Sequence, residues 1–120
     1  MNKREIGALG EAKVVRFLEK NGCRILEKNY FCKIGEIDII AKEKDITLFI
    51  EVKYRKNSGT GMPFEAVNFP KQIKIMRCAM LYAQSKGLFE KPIRFDVIEI
   101  LGEEITWHKN AFQLKKGYLC

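Results

Sequence analysis

From about Lys3 to Asn21 the apolar positions recur at helical spacing, and the segment closes on Asn21-Gly22, a common helix C-terminal signal. At about 100° per residue, Ile6, Gly7, Gly10, Val14, Val15, Phe17 and Leu18 share one broad face, opposite Glu5, Lys13, Arg16, Glu19 and Lys20. Three shorter segments follow, Arg24 to Phe31, Glu36 to Ala41 and Ile46 to Tyr54, each rich in Ile, Val, Phe or Tyr and read as strands. The charged connection Lys42 to Asp45 is short enough to make the last two an antiparallel hairpin. After a turn-rich stretch from Asn57 to Pro63, Asn68 is placed to cap a second helix that begins Phe69-Pro70 and is stopped by Gly87. Ile73, Met76, Ala79, Met80 and Ala83 give that helix a core-facing stripe. Arg94 to Leu101 and Ile105 to His108 read as two more strands, whereas Lys109 to Cys120 gives no assignment. The order αβββαββ predicts an α/β fold with a mixed sheet.

The length of 120 residues predicts one domain, and 47% hydrophobic residues are enough for a packed core rather than disorder. No apolar run approaches the roughly 20 residues a membrane helix needs. Glu11 and Lys13 interrupt what would have to be the apolar core of a signal peptide. Cys23, Cys32, Cys78 and Cys120 lie far apart, without a CxxC pair, which predicts reduced thiols in a cytoplasmic protein and no zinc site. A net charge of +7 points to an acidic partner, foremost nucleic acid.

Two features break the pattern. Glu11 falls near the middle of the apolar face of the first helix, where a carboxylate must be paired, hydrogen-bonded or bound to a cation. In the hairpin, strand alternation puts Glu36 and Asp38 on one face with Ile37, Ile39 and Ala41 on the other. On the partner strand Leu48, Ile50, Val52 and Tyr54 share one face, and Phe49, Glu51 and Lys53 the opposite one. A regular hairpin then sets Asp38 opposite Glu51 or one pair diagonal to it. A solvated cross-strand charge pair, worth roughly 0.2 to 1 kcal/mol, accounts for these two acids alone. A third carboxylate brought in by Glu11 turns the group into a seat for a hard divalent cation, whose preferred ligands are carboxylate oxygens. Tyr54 reads as a core residue, and Phe64, Phe69 and Phe112 as either core or dimer contact.

Glu11, Asp38 and Glu51-Val52-Lys53 resemble the PD-(D/E)XK nuclease core. Gly35-Glu36-Ile37-Asp38-Ile39-Ile40-Ala41, Phe49-Ile50-Glu51-Val52-Lys53-Tyr54-Arg55, Glu65-Ala66-Val67 with Lys71, and Arg94-Phe95-Asp96-Val97 resemble, in order, the YraN-like uncharacterised protein family. This resemblance implies a restriction-endonuclease-like αβββαβ core, similar to archaeal Holliday-junction resolvases, and a homodimer. It implies a metal-dependent endonuclease acting on DNA, branched or structured DNA included, with RNA left open. Glu11, Asp38 and Glu51, with the Val52 carbonyl, would hold Mg²⁺ or Mn²⁺, and Lys53 would position the attacking water. Lys71 would contact a phosphate. Arg4, Lys33, Arg55, Lys56 and Lys74 flank this centre and suit backbone phosphates, without a base-reading motif. The alternative is a basic nucleic-acid-binding module that keeps the fold and cleaves little or nothing.

Overall fold

The computed structural model describes residues 3–55 and 67–113, with side chains from residue 9 onward. The elements are α1 (Lys3–Lys20), β1 (Cys23–Cys32), β2 (Gly35–Glu43), β3 (Ile46–Arg55), α2 (Phe69–Lys86), β4 (Ile93–Leu101) and β5 (Glu104–Phe112). The first six elements give the αβββαβ order, and β5 is added at the edge. The five strands lie in sequence order, with β3 and β4 parallel and every other pair antiparallel, so the sheet is mixed as expected. The parallel step follows from α2, whose length carries the chain back to the start of a neighbouring strand.

Two cores sit on opposite faces because side chains alternate along the central strands. Val14 and Leu18 of α1 pack on Ile39, Ala41, Leu48 and Ile50. Met76, Ala79 and Tyr82 of α2 pack on Ile40, Phe49, Phe95 and Val97. Phe112 belongs to this second core and stacks on Phe95 at 5.2 Å, which settles it as a core residue; Phe69 stays substantially exposed, and Phe64 lies outside the described residues. Asn68 caps α2 by accepting from the Lys71 amide at 3.0 Å, and Gly87 ends it at φ 67°, as their types predict.

Three expectations are corrected. The β2–β3 connection is a two-residue turn, Lys44-Asp45, because Glu43 pairs with Ile46, and Lys44 takes φ 55° to close it. Strand β5 extends to Phe112, held there by pairing with Phe95, so Lys109 to Phe112 leaves the unassigned tail. Cys32 and Cys78 are joined in a disulfide, although 46 residues separate them, because the end of β1 packs under α2. Cys23 is a buried free thiol, and Cys120 lies outside the described residues. Among the described residues, no helix is long and apolar enough to cross a membrane.

Beyond the helix-packed faces, Asp96 is fully buried with four donors on its carboxylate. They are Arg94 Nε and a terminal guanidinium nitrogen at 2.9 Å each, Trp107 Nε1 at 2.9 Å and the Asn110 amide at 2.8 Å. Both oxygens that burial takes from water are thus met by protein donors. The Arg94-Phe95-Asp96-Val97 segment accordingly serves the fold.

Candidate active site

The β2–β3 ladder pairs Glu43 with Ile46 through to Ile39 with Ile50. One step beyond, where regular pairing would set Asp38 against Glu51, the Asp38 side chain takes over. The Val52 amide donates to Asp38 Oδ2 at 2.8 Å. Strict alternation also breaks here, since Ile37 joins the α2 core while Ile39 joins the α1 core. The cause lies on β1, where Asn29 adopts φ 51° between the pairs Lys28–Ile39 and Tyr30–Ile37. Asp38 therefore sits at a kink, with its carboxylate turned to the end of β3.

Glu51 is only 5% exposed and meets two ammonium groups, Lys71 Nζ at 2.5 Å and Lys53 Nζ at 3.7 Å. Lys71 arrives from the first turn of α2, anchored by the Asn68 cap. Burial first, and then the Glu51 charge, raises the Asp38 carboxyl to about 7, against the pull of the Val52 amide. Lys53 is lowered, first by burial and then by Lys71 beside it. Burial also works against the charge of Lys71, yet its hydrogen bond to Glu51 raises it overall. Together these groups form a close cluster of two carboxyls and two ammoniums at a cleft of about 410 Å³. The cleft is lined by Ile34, Gly35, Glu36, Asp38, Glu51, Asn68, Lys71 and Lys74, so it opens between the β1–β2 turn and the start of α2.

Glu11 is not part of this cluster. Asn29 Nδ2 donates to both of its carboxylate oxygens at 3.1 Å. Tyr54 feels both Glu11 and Asp38, which, after burial, raise its hydroxyl. Tyr54 is 45% exposed rather than core, and it crosses α1 at Gly10, where a Cβ would run into its ring. Among the described residues, no group of three acid, His or Cys side chains is close enough to hold a metal ion. Of the cations expected at the site, Lys71 and Lys74 line the cleft and Lys33 is exposed in the β1–β2 turn. Arg55 is engaged by Glu99 at 3.2 Å, while Lys56 and the Arg4 side chain lie outside the described residues.

Sequence reasoning missed Asn29, and it set Glu36 on the face of Asp38 without counting it as a site residue, although it lines the cleft. Asn29 carries a usable signal, because Asn is disfavoured in strands and tolerates positive φ.

The Asp38 shift has a measurable consequence without divalent ions. Its folded carboxyl titrates above the ordinary value near 4, so its contribution to stability is fully present below about pH 4 and is lost as pH rises through about 7. Asp38→Asn keeps an acceptor for the Val52 amide and removes the titration. The melting temperature of the wild type is expected to fall relative to Asp38→Asn between about pH 4 and about pH 8. Parallel melting curves for the two proteins across that range would contradict the placement.

The model of the uncharacterised protein family UPF0102 matches residues 10–100 of this chain. The chain belongs to the UPF0102 family. A UPF0102 protein of Dictyoglomus turgidum is 48% identical over 118 residues, covering 93% of this chain and all of the relative. One from Clostridioides difficile is 49% identical over 114 residues, again covering 93% of this chain and the whole relative. The family read from the motifs therefore stands, and these UPF0102 relatives share this chain's length. Among solved structures, Hjc of Archaeoglobus fulgidus, a Holliday junction resolvase, is similar with a TM-score of 0.49 and 18% identity, over 82% of this chain and 72% of that one. That likeness is too remote to transfer a residue role or a substrate.

Proposed function

We propose that this chain is a metal-dependent endonuclease that hydrolyses phosphodiester bonds in DNA. One observation carries the reading: a carboxyl pair, Asp38 and Glu51, is held against two lysines in an open cleft of a chain with net charge +7. Two carboxylates forced together are relieved by a proton or by a cation, and their hard oxygens suit Mg²⁺ or Mn²⁺. Mg²⁺ commonly takes one or two protein carboxylates and keeps several waters, so Asp38, Glu51 and the Val52 carbonyl fit such an ion. Glu11, which accepts from Asn29, stands apart from this pair. The ion, when bound, supplies charge relief at the phosphate and a more acidic water.

The chain's own residues do the rest. Lys53, lowered by burial and by Lys71, is a cation that can orient a water and offset charge developing on the phosphate. Lys71 sits at the helix start beside the same carboxylate and is placed to move from Glu51 to a phosphate oxygen. Lys74 adds positive charge to the cleft lining, and exposed Lys33 stands in the β1–β2 turn next to Ile34, which also lines it.

A second reading, a nucleic-acid-binding module without cleavage, is favoured by the engagement of Glu11 with Asn29, which takes a third acid away from the carboxyl pair. Isothermal titration with Mn²⁺ separates the two. Heat of binding that disappears in Asp38→Ala and Glu51→Ala, together with cleavage of at least one member of a linear, nicked, flapped and four-way-junction DNA panel, is the expected outcome. DNA binding indifferent to metal, with every substrate left intact, would give the case to the second reading.

A further inference from the structure

A second basic concavity, of about 290 Å³, lies at the opposite end of β2 from the carboxyl pair and is lined by Gly22, Arg24, Lys42 and Lys44. Two local costs meet there. Arg24 and Lys42 are directly paired across β1 and β2, an opposition of like charges that destabilises a sheet. Lys44 holds φ 55° in the two-residue turn, a backbone region that favours Gly or Asn. Neither cost is offset by an acid: among the described residues, Arg24, Lys42 and Lys44 form no ion pair. Glu43, adjacent in sequence, is on the other strand face and is held by Arg94 and Lys109 at 3.2 Å each. Structural cations elsewhere in the sheet do have acids, as Arg55 has Glu99 and Arg94 has Asp96.

Three cations kept together against both electrostatics and backbone preference are matched to an anion supplied from outside. From this we infer that the concavity is a phosphate-binding site, and that the phosphate it takes belongs to a nucleic-acid backbone. The choice of nucleic acid rests on the function proposed above; the phosphate chemistry does not. The Arg24 guanidinium offers a planar fork of donors to phosphate oxygens, with the two ammonium groups adding charge. Gly22 donates its own amide to Glu19 at 3.1 Å, so the site works through side chains. Leu26 and Ile40, two residues from Arg24 and Lys42 on their strands, belong to the α2-side core, so this pair faces the α2 side of the sheet. Lys42 lies four positions beyond Asp38 along β2, roughly 13 Å at strand rise. That matches about four steps of duplex, within the footprint of one bound nucleic acid.

The test measures binding of the full chain to a short DNA duplex by fluorescence anisotropy, in EDTA, over a series of salt concentrations. In Arg24→Gln/Lys42→Gln, affinity at low salt is expected to fall several-fold, and the slope of log affinity on log salt to become shallower by about 0.9 for each phosphate that the variant no longer neutralises. Arg16→Gln, on exposed α1, serves as the reference and is expected to leave the slope unchanged. Lys44→Asn is expected to melt above the wild type while also flattening the slope, because it relieves the turn and removes a cation. An unchanged slope in both variants with no response of the Gly22 and Lys44 amides to phosphate, or a lower melting temperature in both, overturns the site. Titration with inorganic phosphate, followed at the Gly22 and Lys44 amide resonances, distinguishes the sources. Shifts there without any change of DNA slope would assign the site to free phosphate and overturn the nucleic-acid part. Because no arm requires cleavage, an inactive wild type would leave this result readable, and a wild-type slope in an active protein would sink the site alone.

Discussion

Lys53→Ala is expected to lower the rate of DNA nicking about a thousandfold, the scale on which removing one preorganised charge from a reacting centre acts. Its melting temperature is expected to stay close to that of the wild type. The asymmetry comes from position. Lys53 stands 3.7 Å from a carboxylate that already has Lys71 in closer contact, so its removal leaves no buried charge unpaired. Folding scarcely needs the second ammonium, whereas the proposed chemistry does. Asp38→Ala is expected to match it in rate loss, since it empties half of the carboxyl pair. Nicking of supercoiled plasmid with Mn²⁺, scored by gel over a time course, measures both. Wild-type-like cleavage by either variant would remove the nuclease assignment from this cleft.

Asp96→Ala is expected to cost about 3 to 5 kcal/mol, the range for breaking a buried charge pair by deleting one partner. Without the carboxylate, the Arg94 guanidinium keeps Glu43 and its place over the Trp107 ring, and the Trp107 indole N–H and the Asn110 amide are left without their acceptor. A domain of this size has a stability of only about 5 to 15 kcal/mol, so the loss is a large part of the whole. Asp96→Asn retains an acceptor without the charge, and is expected to fall between Asp96→Ala and the wild type. Urea denaturation followed by Trp107 fluorescence reads the effect directly. A loss under about 1 kcal/mol in Asp96→Ala would mean that the network is replaceable by water. With DNA nicking as a second readout, the folded fraction of Asp96→Asn is expected to cleave normally, which separates this structural aspartate from the acidic pair in the cleft.

Much of the fold is legible in the sequence because its signals are local. The apolar stripe of α2, its Asn68 cap and its Gly87 stop each act within a few residues, and the helix runs over Phe69–Lys86 as they predict. Alternation along Leu48 to Tyr54 likewise separates the two cores correctly, for Phe49 lies on the α2 side and Leu48 and Ile50 on the α1 side. Turns are less legible. Lys44-Asp45 lacks the Gly or Asn that marks a two-residue hairpin, so the charged stretch looks longer than the turn it makes.

The candidate site divides in the same way. Asp38, Glu51 and Lys53 can be paired from the hairpin alone, because register and alternation are properties of neighbouring strands. Glu11 obeys its helix, but its partner does not come from any pattern in α1. Asn29 reaches it from β1 through a positive-φ kink, 18 residues away in sequence. Parity along β3 puts Tyr54 in the core, yet the close pass of the ring over Gly10 at the sheet's end leaves it partly in water. Cys32 and Cys78 give no warning of their bond, since spacing along the chain says nothing about two ends brought to a Cα separation of 6.0 Å by packing.

By itself, then, the order of residues determined the αβββαβ succession, the two apolar faces of the sheet, the basic balance and the pairing of two acids on one hairpin. Only the tertiary structure decided that Lys71 would share Glu51 with Lys53, that Glu11 would answer to Asn29, and that Arg24, Lys42 and Lys44 would meet at Gly22. The physical reason is range. Helix periodicity, strand alternation and capping are fixed by contacts within a few residues, whereas the charge that a buried carboxylate or guanidinium ends up facing depends on which distant strand or helix the core brings beside it.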